Sequence, residues 1–175
     1  MPIATVNPAN GDTVKTFEAL DDAGVSERLA LAASAFQSWR KTSFAERRQL
    51  VNRLADIIEA DADSLGRTIT IEMGKPVGQA VAEVKKCATG FRYFAEHAEA
   101  MLREENLPTK GSRSGVRFDP IGPIFAVMPW NFPWWQVIRM AVPTLMAGNV
   151  VVFKHAPNVP GNAKYLEDLF HRAGI

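Results

Sequence analysis

The chain has 175 residues, with 20 Lys and Arg against 19 Asp and Glu, so its formal net charge is only +1. This length suits about one domain, and 47% apolar with 22% charged residues is ordinary globular composition. The near-neutral charge argues against nucleic-acid and anionic-membrane partners, which require a basic face. A single cysteine, Cys87, excludes an intrachain disulfide and a cysteine-rich metal site.

Targeting and metal-binding signals are not found in the sequence. No apolar stretch reaches the roughly 20 residues of a membrane-spanning helix, and the first residues lack the pattern of a secretory signal. No spacing of His, Asp or Glu is typical of a metal site, so we expect no metal ligands. The sequence therefore predicts a cytoplasmic protein of mixed α and β structure.

The first hundred residues predict a β-hairpin followed by four helices. Asn10-Gly11 supplies the positive φ angles of a tight turn between Thr5-Val6 and the strand 14–17. The expected helix starts are Asp21 or Asp22, the capping box of Ser43 with Glu46, Asp61, and a residue shortly before Val81. The first helix ends near Trp39, the third near Ile71 ahead of Gly74 and Pro76, and the fourth near Leu102.

After residue 106 the pattern changes to short apolar runs. A polar break covers 107–115, and Val116–Phe118 predicts a short strand. Runs at 124–128 and 150–153 predict parallel strands buried on both faces, followed by helices over Trp135–Met146 and Pro160–Ala173. The fold class is therefore α/β, with N-terminal helices before the first βαβ units of a parallel sheet. Two strands cannot complete such a sheet, so we expect exposed apolar strand faces and a larger parent protein.

The segment Pro129-Trp130-Asn131-Phe132-Pro133 follows the first of these strands directly. Ligands of open α/β sheets bind at the carboxyl ends of the strands. The two prolines stiffen the backbone, so an Asn131 carboxamide held between them could donate to an oxyanion without reorganising. An equally good interpretation is a stiffened turn in which Asn131 bonds local backbone while Trp130 and Phe132 fill the core.

Two basic residues are further candidates for ligand binding. Lys154 ends the second strand, where its ammonium could reach a polar ligand group, although an exposed lysine without a role is more common there. Arg139, close to Trp134 and Trp135 in sequence, could hold a carboxylate through two parallel hydrogen bonds. A surface arginine stacked on an aromatic ring is the more frequent outcome for such a sequence.

Several segments, in this order and spacing, resemble the aldehyde dehydrogenase superfamily. They are Val6-Asn7-Pro8-Ala9-Asn10-Gly11, Glu72-Met73-Gly74-Lys75-Pro76, Pro120-Ile121-Gly122, Pro129–Pro133, Ala147-Gly148-Asn149 and Val151-Val152-Phe153-Lys154. Within the superfamily, the segments 132–137 and 154–160 look most like succinate-semialdehyde dehydrogenases. The resemblance implies a Rossmann-like cofactor-binding sheet and an enzyme that oxidises an aldehyde to the acid with NAD or NADP. Succinate semialdehyde is the favoured substrate.

The resemblance also implies roles for individual residues. Asn131 matches the side chain that holds the aldehyde oxygen as it becomes an oxyanion, and with Trp130 it lines the nicotinamide end of the cofactor site. Lys154 matches a lysine that reaches the adenosine ribose, and Arg139 an arginine that binds the substrate carboxylate. Pro157 stands where many NAD-preferring members have a glutamate, so a 2′-phosphate is not repelled and NADP becomes acceptable. His155 replaces a more common proline.

Members of the superfamily need a cysteine thiolate as nucleophile, which lies far beyond Asn131 in a Gly-Gln-x-Cys setting. The sequence contains no such segment, and Cys87 lies on an amphipathic helix, where a structural role is expected. We therefore expect the chain to resemble only the N-terminal portion of such an enzyme and to be inactive alone. The resemblance divides it into 1–106, a hairpin and helices; 107–119, a linking strand used in oligomerisation; and 120–175, the start of the cofactor-binding sheet.

Two alternative functions stay open at this point. One is a CoA-acylating aldehyde dehydrogenase, or a dehydrogenase for another aldehyde, which keeps the fold and changes the chemistry. The other is a non-catalytic binding or assembly module. In each case the resemblance favours a homo-oligomer.

Overall fold

Six helices and three two-stranded sheets follow one another along residues 3–175, the part of the chain that the computed structural model describes. The strands are β1 (Ile3–Val6), β2 (Thr13–Phe17), β3 (Glu105–Asn106), β4 (Gly115–Val116), β5 (Pro123–Val127) and β6 (Val150–Lys154). The helices are α1 (Asp22–Trp39), α2 (Phe44–Ala60), α3 (Ala62–Met73), α4 (Val77–Met101), α5 (Trp135–Met146) and α6 (Pro160–Ala173). The first two residues of the predicted segment 1–106 lie outside the described residues.

The predicted hairpin and two of the predicted helix caps are confirmed. Strands β1 and β2 pair antiparallel, and Gly11 in their turn has a φ of 79°. Asp21 accepts a hydrogen bond from the Gly24 amide at 2.7 Å and caps α1. Ser43 and Glu46 form the reciprocal capping box of α2.

The predicted side-chain hydrogen bond of an Asp61 cap is wrong. Asp61 precedes α3 as expected, but its side chain accepts no hydrogen bond from the start of that helix. The carboxylate instead accepts from Arg172 Nη1 at 3.0 Å. A partner distant in sequence has therefore replaced the local backbone bond, and the pattern of residues around Asp61 could not show this.

The main core lies where α4 packs against α2, α3 and α5. Its largest fully buried side chains include Trp134, Phe91, Leu54, Ile58 and Ile69. At the crossing of α3 and α4 the backbones approach closely, since a Cβ at Gly66 would lie 2.5 Å from Val81 Cγ2. The crossing therefore requires glycine at this position.

Strands β5 and β6 pair in parallel, with Pro123 opposite Val150 and Val127 opposite Lys154. On one face of β6, Val150 and Val152 pack against Ala32 and Phe36 of α1. The expectation that both strands are buried on both faces is wrong for β5, because Phe125 and Val127 are 65% and 66% exposed. The expected exposure of an apolar strand face is confirmed.

The strand predicted in the linking segment is shorter than expected. Strand β4 pairs with β3 over two residues, and the expected strand 116–118 is confined to Gly115–Val116. The division of the chain at 107–119 stays a prediction. Within residues 3–175, no helix is both long and apolar enough to span a membrane.

Replacement of Gly66 by alanine tests the close crossing of α3 and α4. We expect Gly66→Ala to lower the free energy of unfolding by about 1–3 kcal/mol, because the new methyl group overlaps Val81. Gly78→Ala is the matched control: it is an exposed α4 site with no atom within 4 Å of the added Cβ, so a gain of up to about 1 kcal/mol is expected. Urea denaturation of both variants measures the difference, and equal stabilities would contradict the close approach.

Candidate active site

Strands β5 and β6 end side by side. Val127 lies opposite Lys154, and the Met128 amide donates to the Lys154 carbonyl at 3.0 Å. The turn 129–134, here called the Asn131 turn, and the loop 155–159, here called the His155 loop, therefore leave the same edge of the sheet. The predicted position of the candidate residues at this edge is confirmed.

The Asn131 turn has an exposed tip and a buried C-terminal end. Trp130, Asn131 and Phe132 are exposed, whereas Pro133 and Trp134 are buried. The interpretation that Trp130 and Phe132 fill the core is therefore wrong, and Trp134 takes that place. The Asn131 carboxamide forms no hydrogen bond with another of residues 3–175, so it can donate to a ligand.

A buried ion pair holds the Asn131 turn from below. Glu83 on α4 is 4% exposed, and its carboxylate accepts hydrogen bonds from the Trp134 and Trp135 amides at 3.0 Å each. The same carboxylate pairs with the Lys75 ammonium, which lies 3.7 Å from the centroid of the Phe132 ring. Phe132 in the turn and the amides at its C-terminal end thus contact one charge pair.

Glu72 holds the N-terminus of α6, the helix that follows β6, in the way that Glu83 holds the start of α5. Its carboxylate accepts from the Gly161 amide at 2.8 Å, the Asn162 amide at 2.7 Å and Asn162 Nδ2 at 2.6 Å. Thr5 of β1 also donates to it. A Cβ at Gly161 would lie 2.7 Å from Glu72 Oε1, so the contact requires glycine. The two anchors are linked, because Trp134 Nε1 donates to Asn162 Oδ1 at 2.6 Å.

These anchors limit where a cofactor can bind. Helix N-termini are common phosphate sites because their free amides and dipole attract anions. Here the first amides of α5 and α6 already bind the carboxylates of Glu83 and Glu72. A dinucleotide therefore has to place its pyrophosphate elsewhere, while exposed groups on the two loops stay available to its other parts.

Sequence reasoning missed Glu83 and Asn162, and it treated Lys75 only as part of a motif. A signal for Glu83 was present, because it lies among the core-facing residues Ala80, Val84 and Cys87 of α4. A carboxylate in an apolar helical stripe is costly unless it is paired, so such a residue indicates a buried partner. The identity of that partner depends on the fold.

The remaining candidates are exposed. Lys154 ends β6, and Pro157 lies in a turn closed by the Val159 amide bonding the Ala156 carbonyl at 3.2 Å. The structure thus places Trp130 and Asn131 on the Asn131 turn, Lys154 at the end of β6 and Pro157 on the neighbouring His155 loop. Arg139 lies in the second turn of α5, exposed, and within residues 3–175 no ion pair or hydrogen bond joins it to Asn131 or Lys154. Their roles stay predictions.

Cys87 is unsuited to act as a nucleophile. It is fully buried on α4, and burial, reinforced by the nearby Glu83 charge, raises the pKa of its thiol well above the ordinary value. The reactive thiolate form is therefore disfavoured. Within the described part of the chain, no group of three His, Cys, Asp or Glu side chains lies close enough together to hold a metal ion.

The family model described as "Aldehyde dehydrogenase family" matches residues 1–175. Succinate-semialdehyde dehydrogenase [NADP(+)] 1 of Mycobacterium tuberculosis (strain H37Rv) is 51% identical over 180 residues, covering all of this chain and 39% of that protein. The NADP(+) enzyme of Mycobacterium avium (strain 104) is 49% identical, again over the whole chain and 38% of the relative.

Solved structures agree with these sequence matches. The Streptococcus pyogenes succinic semialdehyde dehydrogenase, solved in complex with NADP+, has a TM-score of 0.95 at 32% identity and covers 99% of this chain and 38% of its own. Gox0499 has a TM-score of 0.97 at 35% identity, covering all of this chain and 39% of its own. The chain thus spans about 39% of the length of the relatives it matches. The chain therefore belongs to the aldehyde dehydrogenase family, and it corresponds to the N-terminal portion of the relatives it matches.

Proposed function

We propose that the chain forms the oxyanion-holding and cofactor-contacting part of an NADP-dependent aldehyde dehydrogenase that oxidises succinate semialdehyde to the acid. The observation that carries the proposal is an exposed Asn131 carboxamide after the end of β5, on a turn whose C-terminal end is buried and anchored. The relatives that are about half identical to the chain are named as succinate-semialdehyde dehydrogenases, which supports the choice of reaction and substrate.

Asn131 would act at the point where negative charge develops. A thiolate from outside residues 1–175 attacks the aldehyde carbonyl, since Cys87 is buried and its thiolate disfavoured. As the carbonyl oxygen becomes an oxyanion, Asn131 Nδ2–H donates to it, and the rigid turn keeps that donor in place without reorganisation. NADP, when bound, would accept the hydride, and attack of water on the resulting thioester would release the acid and return the thiol. The 175-residue chain alone is therefore inactive.

Arg139 would bind the carboxylate of the substrate. It is exposed and forms no ion pair with another of residues 3–175, so its guanidinium is available for a two-point contact with an anion. Succinate semialdehyde carries a carboxylate at the end opposite its aldehyde. This contact separates a semialdehyde dehydrogenase from one that takes uncharged aldehydes.

The cofactor preference would depend on the His155 loop. Lys154 offers a cation at the end of β6, and the exposed Pro157 offers no carboxylate to repel a 2′-phosphate. The Mycobacterium relatives carry NADP(+) in their names, which favours the same cofactor here. We also propose that the enzyme is a homo-oligomer in the cytoplasm, as the sequence analysis expects.

A chimera in which residues 1–175 replace the matching segment of the Mycobacterium tuberculosis enzyme tests the role of Asn131. We expect the chimera to reduce NADP with succinate semialdehyde, and Asn131→Ala to lower kcat by about 100-fold or more, because one oxyanion donor is lost. Asn106→Ala, an exposed site on β3, is the control and should be unchanged. An Asn131→Ala variant with normal kcat would contradict the proposed oxyanion contact.

Arg139→Ala in the same chimera tests the substrate assignment. We expect kcat/KM for succinate semialdehyde to fall by the factor that corresponds to a loss of about 2–3 kcal/mol of transition-state stabilisation, since a charge-assisted contact is removed. Butanal, an uncharged aldehyde of the same chain length, serves as the control substrate and should lose much less. Equal losses for the two aldehydes would favour a dehydrogenase for another substrate.

Pro157→Glu tests the basis of cofactor choice. A carboxylate at this position should repel the 2′-phosphate and accept hydrogen bonds from ribose hydroxyls, so the ratio of kcat/KM with NADP to that with NAD should fall about tenfold or more. Pro157→Gln has a side chain of similar size without the charge and should change the ratio far less. An unchanged ratio in the glutamate variant would place the ribose away from Pro157.

A further inference from the structure

His155 is the first residue of the His155 loop, and its ring bonds both that loop and the Asn131 turn. The ring is buried. Its Nε2 lies 2.8 Å from the Pro133 carbonyl oxygen of the Asn131 turn, and the Ala156 amide donates to Nδ1 at 2.8 Å. Pro133 is two residues from Asn131, and His155 directly follows Lys154, so one ring connects the two halves of the candidate site.

The two hydrogen bonds fix the protonation state of the ring. Because the Ala156 amide can only donate, Nδ1 must carry its lone pair, and the single proton of the neutral ring lies on Nε2. That proton is donated to the Pro133 carbonyl. A doubly protonated ring would turn an N–H toward the Ala156 N–H and would lose this bond, so only the neutral form satisfies the site.

The surroundings favour the neutral form at ordinary pH. Burial lowers the pKa of His155, and the Lys154 charge acts in the same direction, whereas the bond to Pro133 and the carboxylates of Glu72 and Glu83 oppose the shift. The ring is therefore neutral at pH 7 and becomes protonated only as the pH falls below the ordinary histidine range near ~6.5. Stability linked to the neutral ring is retained above that range and decreases as the pH falls through it.

We propose that neutral His155 is a positioning residue, which holds the Pro133 carbonyl and thereby fixes the Asn131 carboxamide relative to Lys154. The inference rests on the proposed function, since Asn131 is the group that His155 would place. Loss of the ring leaves the Pro133–Trp134 peptide held by Glu83 alone. The oxyanion donor then has to be ordered during each reaction, which raises the barrier.

Two substitutions separate the bond to Pro133 from the bond to Ala156. In His155→Gln, the longer carboxamide can still donate from Nε2 to the Pro133 carbonyl, and it does not titrate. In His155→Asn, the shorter side chain can accept from the Ala156 amide but cannot reach Pro133. The pair thus removes either the bond to Ala156 together with the titration, or the bond to Pro133 that we propose to matter.

Steady-state kinetics of the chimera give the first readout. We expect His155→Asn to lower kcat about tenfold to 100-fold, as misplacement of a catalytic group does, with a much smaller change in the aldehyde KM. His155→Gln, which keeps a donor for the Pro133 carbonyl, should keep most of kcat. Wild-type kcat in the Asn variant, or an equal loss of kcat in the Asn and Gln variants, would overturn the inference.

Amide hydrogen exchange in the 175-residue chain gives a readout that needs no activity. The amides of residues 130–132 and 134–136 should exchange faster in His155→Asn than in the wild type, and His155→Gln should restore protection. Equal exchange in all three chains overturns the inference. If the wild-type chimera is inactive, or Asn131→Ala leaves it fully active, the proposed function fails, while the exchange comparison still decides whether His155 positions the turn.

Discussion

Two buried carboxylates at the N-termini of α5 and α6 determine the geometry of the candidate site. Glu83 and Glu72 project from α4 and α3, and each accepts two backbone amides of the helix that follows a parallel strand. A buried charge costs several kcal/mol unless partners compensate for it, and here helix dipoles, amides and Lys75 do so. The helical part of the chain thereby fixes the loops at the strand ends.

This arrangement suits a site that stabilises developing charge. The Asn131 turn is anchored at its base by Glu83 and at Pro133 by His155, while its tip stays open to ligands. A donor held in this way loses little entropy when it meets an oxyanion. The same anchors occupy both helix N-termini, so the first part of the sheet offers a cofactor its loops and its lysine rather than its helix dipoles.

The sequence predicted those features that depend on neighbours along the chain. The hairpin turn at Gly11, the Ser43–Glu46 capping box and the parallel strand pair follow from local residue patterns, and all are confirmed. Features that depend on distant partners were missed or wrong: the pairing of Glu83 with Lys75 and the partner of Asp61. Local patterns fix hydrogen bonds over a few residues, whereas these contacts arise only when the helices pack.

The most direct test of the central role of the carboxylates is the exchange rate of the amides that they bind. In the 175-residue chain, the amides of Trp134, Trp135, Gly161 and Asn162 should all be strongly protected, because each donates to a buried carboxylate. Replacement of Glu83 by Ala, which removes the acceptor, should selectively release the first two and leave the pair bound to Glu72 protected. Rapid exchange of all four amides in the unmodified chain would contradict the account.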